Sequence, residues 1–197
     1  MLHEITRKGF VYGKALLSAL GGWLAVINLW WFVAAVGLCF FSIYLSFRRR
    51  ANIKSLPESH QKYIGQAKRA IRRVRRFSPR RAMSYLRRMS PYAFEELVLL
   101  AFEDQGYKVR RNQSYSHDGG IDGQVRIRNS WYFIQSKRYS NYINANHVKD
   151  FDDLCKNNRT KGYFIHTGKT GSLSKSYTKN TVIISGDRLL KLMGVVK

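Results

Sequence analysis

At 197 residues the chain has room for one compact domain and an additional segment. Its 35 Lys and Arg against 12 Asp and Glu give a formal charge of +23, more than solubility asks for, which implies a polyanionic partner, nucleic acid or anionic lipid. Two cysteines over a hundred residues apart, Cys39 and Cys155, argue against a disulfide framework or a Cys-based zinc site and fit a reducing interior.

Residues 15–47 carry no charge and are rich in Leu, Val, Ala, Trp and Phe. The run exceeds the roughly 20 residues of one bilayer crossing and is too long for a signal-peptide core, so a transmembrane segment is expected. Arg7, Lys8 and Lys14 flank it on one side and Arg48, Arg49 and Arg50 on the other. Positive flanks stay cytoplasmic, which favours a hairpin with its tip near Asn28 to Trp31 over a single tilted helix, although each leg would be only about 17 residues. In both topologies the chain after Arg48 faces the cytoplasm.

Residues 48–90 hold fifteen Lys or Arg and one acid, Glu58. Within "QKYIGQAKRAIRRVRRF", Ile64, Ala67, Ile71 and Val74 form a narrow apolar stripe on a helix whose other faces are basic. Such a helix can lie on anionic headgroups, contact a phosphate backbone through residues such as Arg72, Arg73 and Arg76, or act as a solvated spacer. Pro79 interrupts it, and a short helix through Tyr85 and Leu86 follows. The expected organisation is a membrane segment over 1–50, a basic helical linker over 51–88 and a globular domain over 89–197.

The globular part opens with "SPYAFEELVLLAFEDQGYKV". Ser90 is placed as N-cap, Pro91 as first helical residue, and Phe94, Leu97, Val98, Ala101 and Phe102 as the core stripe, with Gly106 ending the helix. Strands are expected at 107–111, 121–127 and 131–137, with a turn at Arg128-Asn129-Ser130, then a helix over 146–157, strands in "KGYFIHTG" and "TVIIS", and a short helix over 187–193. The class is α/β on a mixed sheet.

On the strand ending at Lys137, alternation puts Gln135 and Lys137 on one face. A turn at 128–130 brings Asp122 beside residues 135–137 of the antiparallel neighbour. Gly119 and Gly120 let the chain bend just before the aspartate. A carboxylate, an amide oxygen and an ammonium then converge. A hard divalent cation accepts the two oxygen ligands and keeps waters, and the lysine can activate water and offset charge on a phosphate. That is the chemistry of phosphodiester hydrolysis.

The helix run "FEELV", then "GGID", then "QSKRY" resembles the Mrr-type restriction endonuclease domain. This is a branch of the nuclease group named for its Pro-Asp…(Asp or Glu)-x-Lys motif, and the likeness covers residues 88–190. The resemblance implies a restriction-endonuclease-like fold and Mg²⁺- or Mn²⁺-dependent cleavage of double-stranded DNA, often modified DNA. It implies Asp122 as metal-binding carboxylate, Gln135 at the position of the wider group's Asp or Glu, Lys137 as catalytic lysine, and Glu95 completing the metal site. Three departures stand out: Gln135 removes one negative charge, Ser136 stands where that branch often has cysteine, and Gly123 follows the aspartate. Ser136 faces the core side and is expected to matter little. His117, Arg138 and Tyr139 are candidate contacts to DNA, and cutting both strands suggests a homodimer. The combined expectation is a membrane-anchored DNA endonuclease at the inner membrane of a prokaryote, its domain in the cytoplasm. The alternative is a membrane-anchored DNA-binding protein with a nuclease-like fold and little cleavage.

Overall fold

The computed structural model describes Trp31, residues 34–44, Ser46, and residues 57–112 and 120–196. The chain divides into two compact units, Met1–Ser55 and Leu56–Lys197. In the first, residues 34–44 are helical and exposed, with Leu38, Phe40, Phe41 and Tyr44 all open to their surroundings. Most of the expected membrane segment, including the hairpin tip through Trp30, lies outside the described residues. Among the described residues no helix is long and apolar enough to cross a membrane.

The second unit begins with three helices: α1 (Glu58–Val74), α2 (Pro79–Arg88) and α3 (Pro91–Asp104). The apolar stripe read from the sequence is the reason α1 is not a spacer. Ile64, Ala67, Ala70, Ile71 and Val74 are all buried, the last four in one cluster with Ala82 and Leu86 of α2 and apolar residues of α3. The basic stretch placed in a linker therefore belongs to the compact unit that holds the sheet. Pro79 is the first residue of α2, where its missing N–H costs nothing.

Helix α3 is buried almost all round, from Ala93 and Phe94 through Leu97, Val98, Leu99, Leu100, Ala101 and Phe102. It lies between α1 on one side and the sheet on the other, which explains why apolar residues occupy consecutive turns rather than one stripe. Ser90 and Pro91 open it as expected, though the Ser90 side chain makes no capping bond. Gly106, at φ +87°, ends it in the left-handed conformation that glycine adopts freely.

The sheet has five strands in the order β1 (Lys108–Arg111), β2 (Gly123–Ile127), β3 (Ser130–Lys137), β4 (Gly162–His166) and β5 (Thr181–Ile184). The first three pair antiparallel and the last three parallel, so the sheet is mixed as predicted. The β2–β3 turn is Arg128-Asn129, with Arg128 at φ 52°. Helix α4 (Ala145–Asn157) connects β3 to β4 and packs on the sheet face opposite α3. Val125, Ile134 and Ile165 point to the α3 side, and Phe164 and Ile183 to the α4 side. The short helix α5 (Ser172–Ser176), unforeseen in the sequence, precedes β5, and α6 (Gly186–Leu192) returns to the α3 layer.

Candidate active site

The β2–β3 register decides which side chains meet. Gly123 pairs with Ile134 and Ile127 with Ser130, and one step before β2 the Asp122 N–H donates to the Ile134 carbonyl at 2.8 Å. Asp122 therefore arrives at the height of Gln135, within the span of residues 135–137 that the sequence predicted, where β3 ends and the chain leaves the sheet.

The carboxylate is held in place. Asp122 Oδ2 accepts the Ser136 backbone N–H at 2.5 Å and the Ser136 hydroxyl at 2.7 Å. Two donors on one oxygen fix the carboxylate's orientation at the end of the strand. Ser136 does face the core side and is buried, but its hydroxyl is spent on the aspartate rather than on packing. The sequence reading missed this role. The available signal was a hydroxyl residue set between Gln135 and Lys137 at a position where an apolar side chain would have served the core.

Gln135 is buried, and its amide nitrogen donates to the Gly120 carbonyl at 2.6 Å. Gly120 has φ +86°, and a Cβ there would come within 2.7 Å of the Gln135 amide nitrogen. Conformation and space both call for glycine at this position. With its nitrogen tied to Gly120, Gln135 presents Oε1 as a buried acceptor with no hydrogen-bond partner among the described residues. A buried carbonyl oxygen without a donor costs free energy unless something else satisfies it. An amide oxygen so placed, on the residue before the serine that orients the Asp122 carboxylate, fits a hard cation, which takes oxygen ligands and retains water. Among the described residues no three His, Cys, Asp or Glu side chains gather into a metal cluster.

Lys137 closes β3, half-buried, two residues beyond Gln135 and on the same face by strand alternation. Its backbone pairs with His166 of β4. Glu95 is half-buried on α3, while its neighbour Glu96 is buried in a separate network. Glu96 accepts from Arg111 Nε at 2.8 Å and lies 3.5 Å from His60 Nδ1, and Glu103 accepts from Arg111 at 2.6 Å. Burial pulls the Arg111 pKa down, but the carboxylates of Glu103 and Glu96 more than offset this and raise it above its ordinary value. Glu96 thus joins α1, α3 and β1.

The candidate DNA contacts fall in different settings. His117 lies outside the described residues. Arg138 donates to the backbone carbonyl of Arg87 at 2.9 Å, and Arg87 donates to the Thr167 carbonyl at 3.0 Å, so this arginine fastens α2 to the ends of β3 and β4. The Tyr139 hydroxyl pairs with His147 Nδ1 at 2.5 Å, and Thr167 Oγ1 both accepts from and donates to the Tyr139 backbone at 2.9 Å. Arg72, Arg73 and Arg76 are exposed at the C-terminal end of α1 and in the turn after it.

His166 is fully buried, taking the Gly168 N–H on Nδ1 at 3.1 Å and facing Thr170 Oγ1 through Nε2 at 3.1 Å. Burial pushes its pKa down to about 4, so it stands neutral as a structural residue beside β3.

No curated protein and no solved structure matches the chain. A family model described as a restriction endonuclease, the Mrr catalytic domain, matches residues 86–193. This match runs from the end of α2 through α6 and takes in the helix with Glu95, the Gly120–Asp122 bend and the Gln135-Ser136-Lys137 strand end. It covers more than half of the chain, which therefore belongs to the Mrr family of restriction endonuclease domains.

Proposed function

We propose that the protein is a membrane-anchored, Mg²⁺- or Mn²⁺-dependent DNA endonuclease that attacks foreign or modified duplex DNA, with its nuclease unit on the cytoplasmic side of a prokaryotic inner membrane. The observation that carries the metal-dependent part is Gln135 Oε1, buried with no hydrogen-bond partner among the described residues, one position along β3 from the Ser136 that pins the Asp122 carboxylate. Asp122, Gln135 and Glu95 would hold the cation. When bound, a divalent cation supplies positive charge to the scissile phosphate and to the attacking water.

The chain's own residues do the rest. Ser136 keeps the Asp122 carboxylate from rotating, so the ligand geometry is set before DNA arrives. Gln135 adds an oxygen without adding charge, and its amide nitrogen keeps the Gly120 bend closed against β3. Lys137 brings a full positive charge to the same face, where it orients water and stabilises charge growing on the phosphate oxygens. The uncharged run over 15–47 with basic flanks supports the anchoring, as do the exposed apolar residues of the described helical stretch. A homodimer would bring two such centres to the two strands of a duplex.

Incubating the full chain with supercoiled plasmid, unmodified and modified, in Mg²⁺ tests this reading. Nicking or linearisation is expected, with Asp122→Ala and Lys137→Ala each slowing it by about 10²–10⁴-fold. Cleavage indifferent to both substitutions would remove the site. Plasmid that is bound but left intact under all conditions would favour a membrane-anchored DNA-binding protein instead.

A further inference from the structure

Arginines gather in a groove formed by α1, the turn after it and α2. Arg73, Arg76, Phe77, Arg81, Tyr85 and Arg88 line a hollow of about 520 Å³. A second hollow of about 230 Å³ continues from it, sharing Arg73 and Tyr85 and adding Gln66, Arg69 and Ser90. No Asp or Glu lines either one.

We propose that this groove is a second nucleic-acid contact that grips the phosphodiester backbone of duplex DNA flanking the cleavage position. The proposal rests on the nuclease reading and adds to it a place where the substrate is held. Three observations favour DNA over a lipid surface. An amphipathic helix binds a membrane by sinking its apolar face, but the aliphatic residues of α1 are buried, Ala67, Ala70, Ile71 and Val74 in one cluster with α2 and α3, and so are not available to insert. The basic residues line concave hollows with aromatic walls, a form that suits a rod-like polyanion better than a flat headgroup layer. Two of the guanidinium groups are also pre-organised. Arg81 stacks 4.3 Å over the Phe77 ring, and Arg88 is tethered to Ser84 through its carbonyl at 3.3 Å and its hydroxyl at 3.2 Å, so less side-chain freedom is lost on binding.

The groove is also mechanically joined to the candidate catalytic strand. Arg138, the residue after Lys137, donates to the Arg87 carbonyl at the end of α2, and Arg87 donates to Thr167 beyond β4. On the other side, Ser90 and Ala93 of the first turns of α3 line the second hollow, and Glu95 follows on the same helix. A duplex held in the groove is therefore referenced to the same rigid elements that carry Glu95 and Lys137.

The test is the salt dependence of binding by the full chain to a 30-base-pair duplex, in Ca²⁺ in place of Mg²⁺. The triple variant Arg69→Gln, Arg73→Gln, Arg76→Gln should flatten the slope of log K against log salt by about 3, and Arg76→Gln alone by about 1, because each neutralised phosphate contributes about one unit. A control triple on the opposite sheet face and strand-start end, Lys156→Gln, Lys161→Gln, Lys179→Gln, should leave the slope within about half a unit of wild type. An unchanged slope in the groove variants, or an equal fall in the control, overturns the proposal. So does an unchanged DNA slope accompanied by lost binding to vesicles of phosphatidylethanolamine and phosphatidylglycerol, which would assign the groove to lipid. If the wild-type chain cuts plasmid while the groove variants keep their slope, only the groove assignment fails; if wild type neither binds nor cuts, the nuclease reading fails with it.

Discussion

At the scale of single residues, the site depends on how Asp122 and Gln135 are held. Ser136 gives Asp122 both its backbone N–H and its hydroxyl. Removing the hydroxyl leaves one donor and a looser carboxylate, so we expect Ser136→Ala to lower cleavage about 10–100-fold and to raise the Mg²⁺ concentration for half-maximal rate, with Ser136→Thr restoring part of both. A merely structural serine would lower thermal stability without moving the Mg²⁺ requirement. Gln135→Glu offers a second test, in which two effects oppose each other. The added charge favours a cation, but a carboxylate would face the Gly120 carbonyl where an amide now donates. The outcome expected is tighter Mn²⁺ binding in the loaded protein, together with a melting temperature lowered by several degrees in the metal-free protein. The position of Asp122 beside Gln135 was legible from the sequence because a two-residue period and a short turn leave little choice of register. The Ser136 contact was not, because alternation assigns a side chain to a face and does not say what lies at the strand's end.

At the scale of elements, α3 carries two adjacent glutamates in different surroundings, Glu96 buried and Glu95 half-buried. Glu96 is enclosed with Arg111 and His60, so Glu96→Gln should cost about 2–4 kcal/mol by leaving a buried guanidinium short of charge, while the folded fraction still cuts DNA. Glu95→Gln should do the reverse, keeping stability and reducing Mg²⁺-dependent cleavage by about tenfold or more. Chemical denaturation and cleavage rates on both variants separate the two roles. Periodicity identified α3 and its ends, since Pro91 and Gly106 leave little latitude. It could not show that α1 covers the outer side of α3, because the stripe of Ile64, Ala67, Ile71 and Val74 reads the same whether it faces a membrane or a protein core. The consecutive Leu99 and Leu100 were the available hint that α3 needs covering on two sides.

At the scale of the whole molecule, the charge of +23 is concentrated before the nuclease domain, and the structure puts much of it on helices that belong to the folded unit. A pH effect belongs at this scale too. His166 is held neutral by burial with a pKa of about 4, against 6.5 for a free histidine. As pH falls below about 6.5 the unfolded chain gains a proton there and the folded chain does not, so unfolding free energy declines until about pH 4, by on the order of 3 kcal/mol. His166→Asn should flatten that part of the stability curve, measured by denaturant unfolding between pH 7 and 4. The centre proposed for metal-dependent phosphodiester hydrolysis is made of Asp122, Gln135 and Lys137. It is tested most directly by measuring single-turnover plasmid cleavage and DNA affinity together, in Mg²⁺, for the full chain and for Lys137→Ala. The account predicts that cleavage falls by about 10²-fold or more while affinity changes by less than about tenfold. Equal cleavage by the two proteins would contradict it.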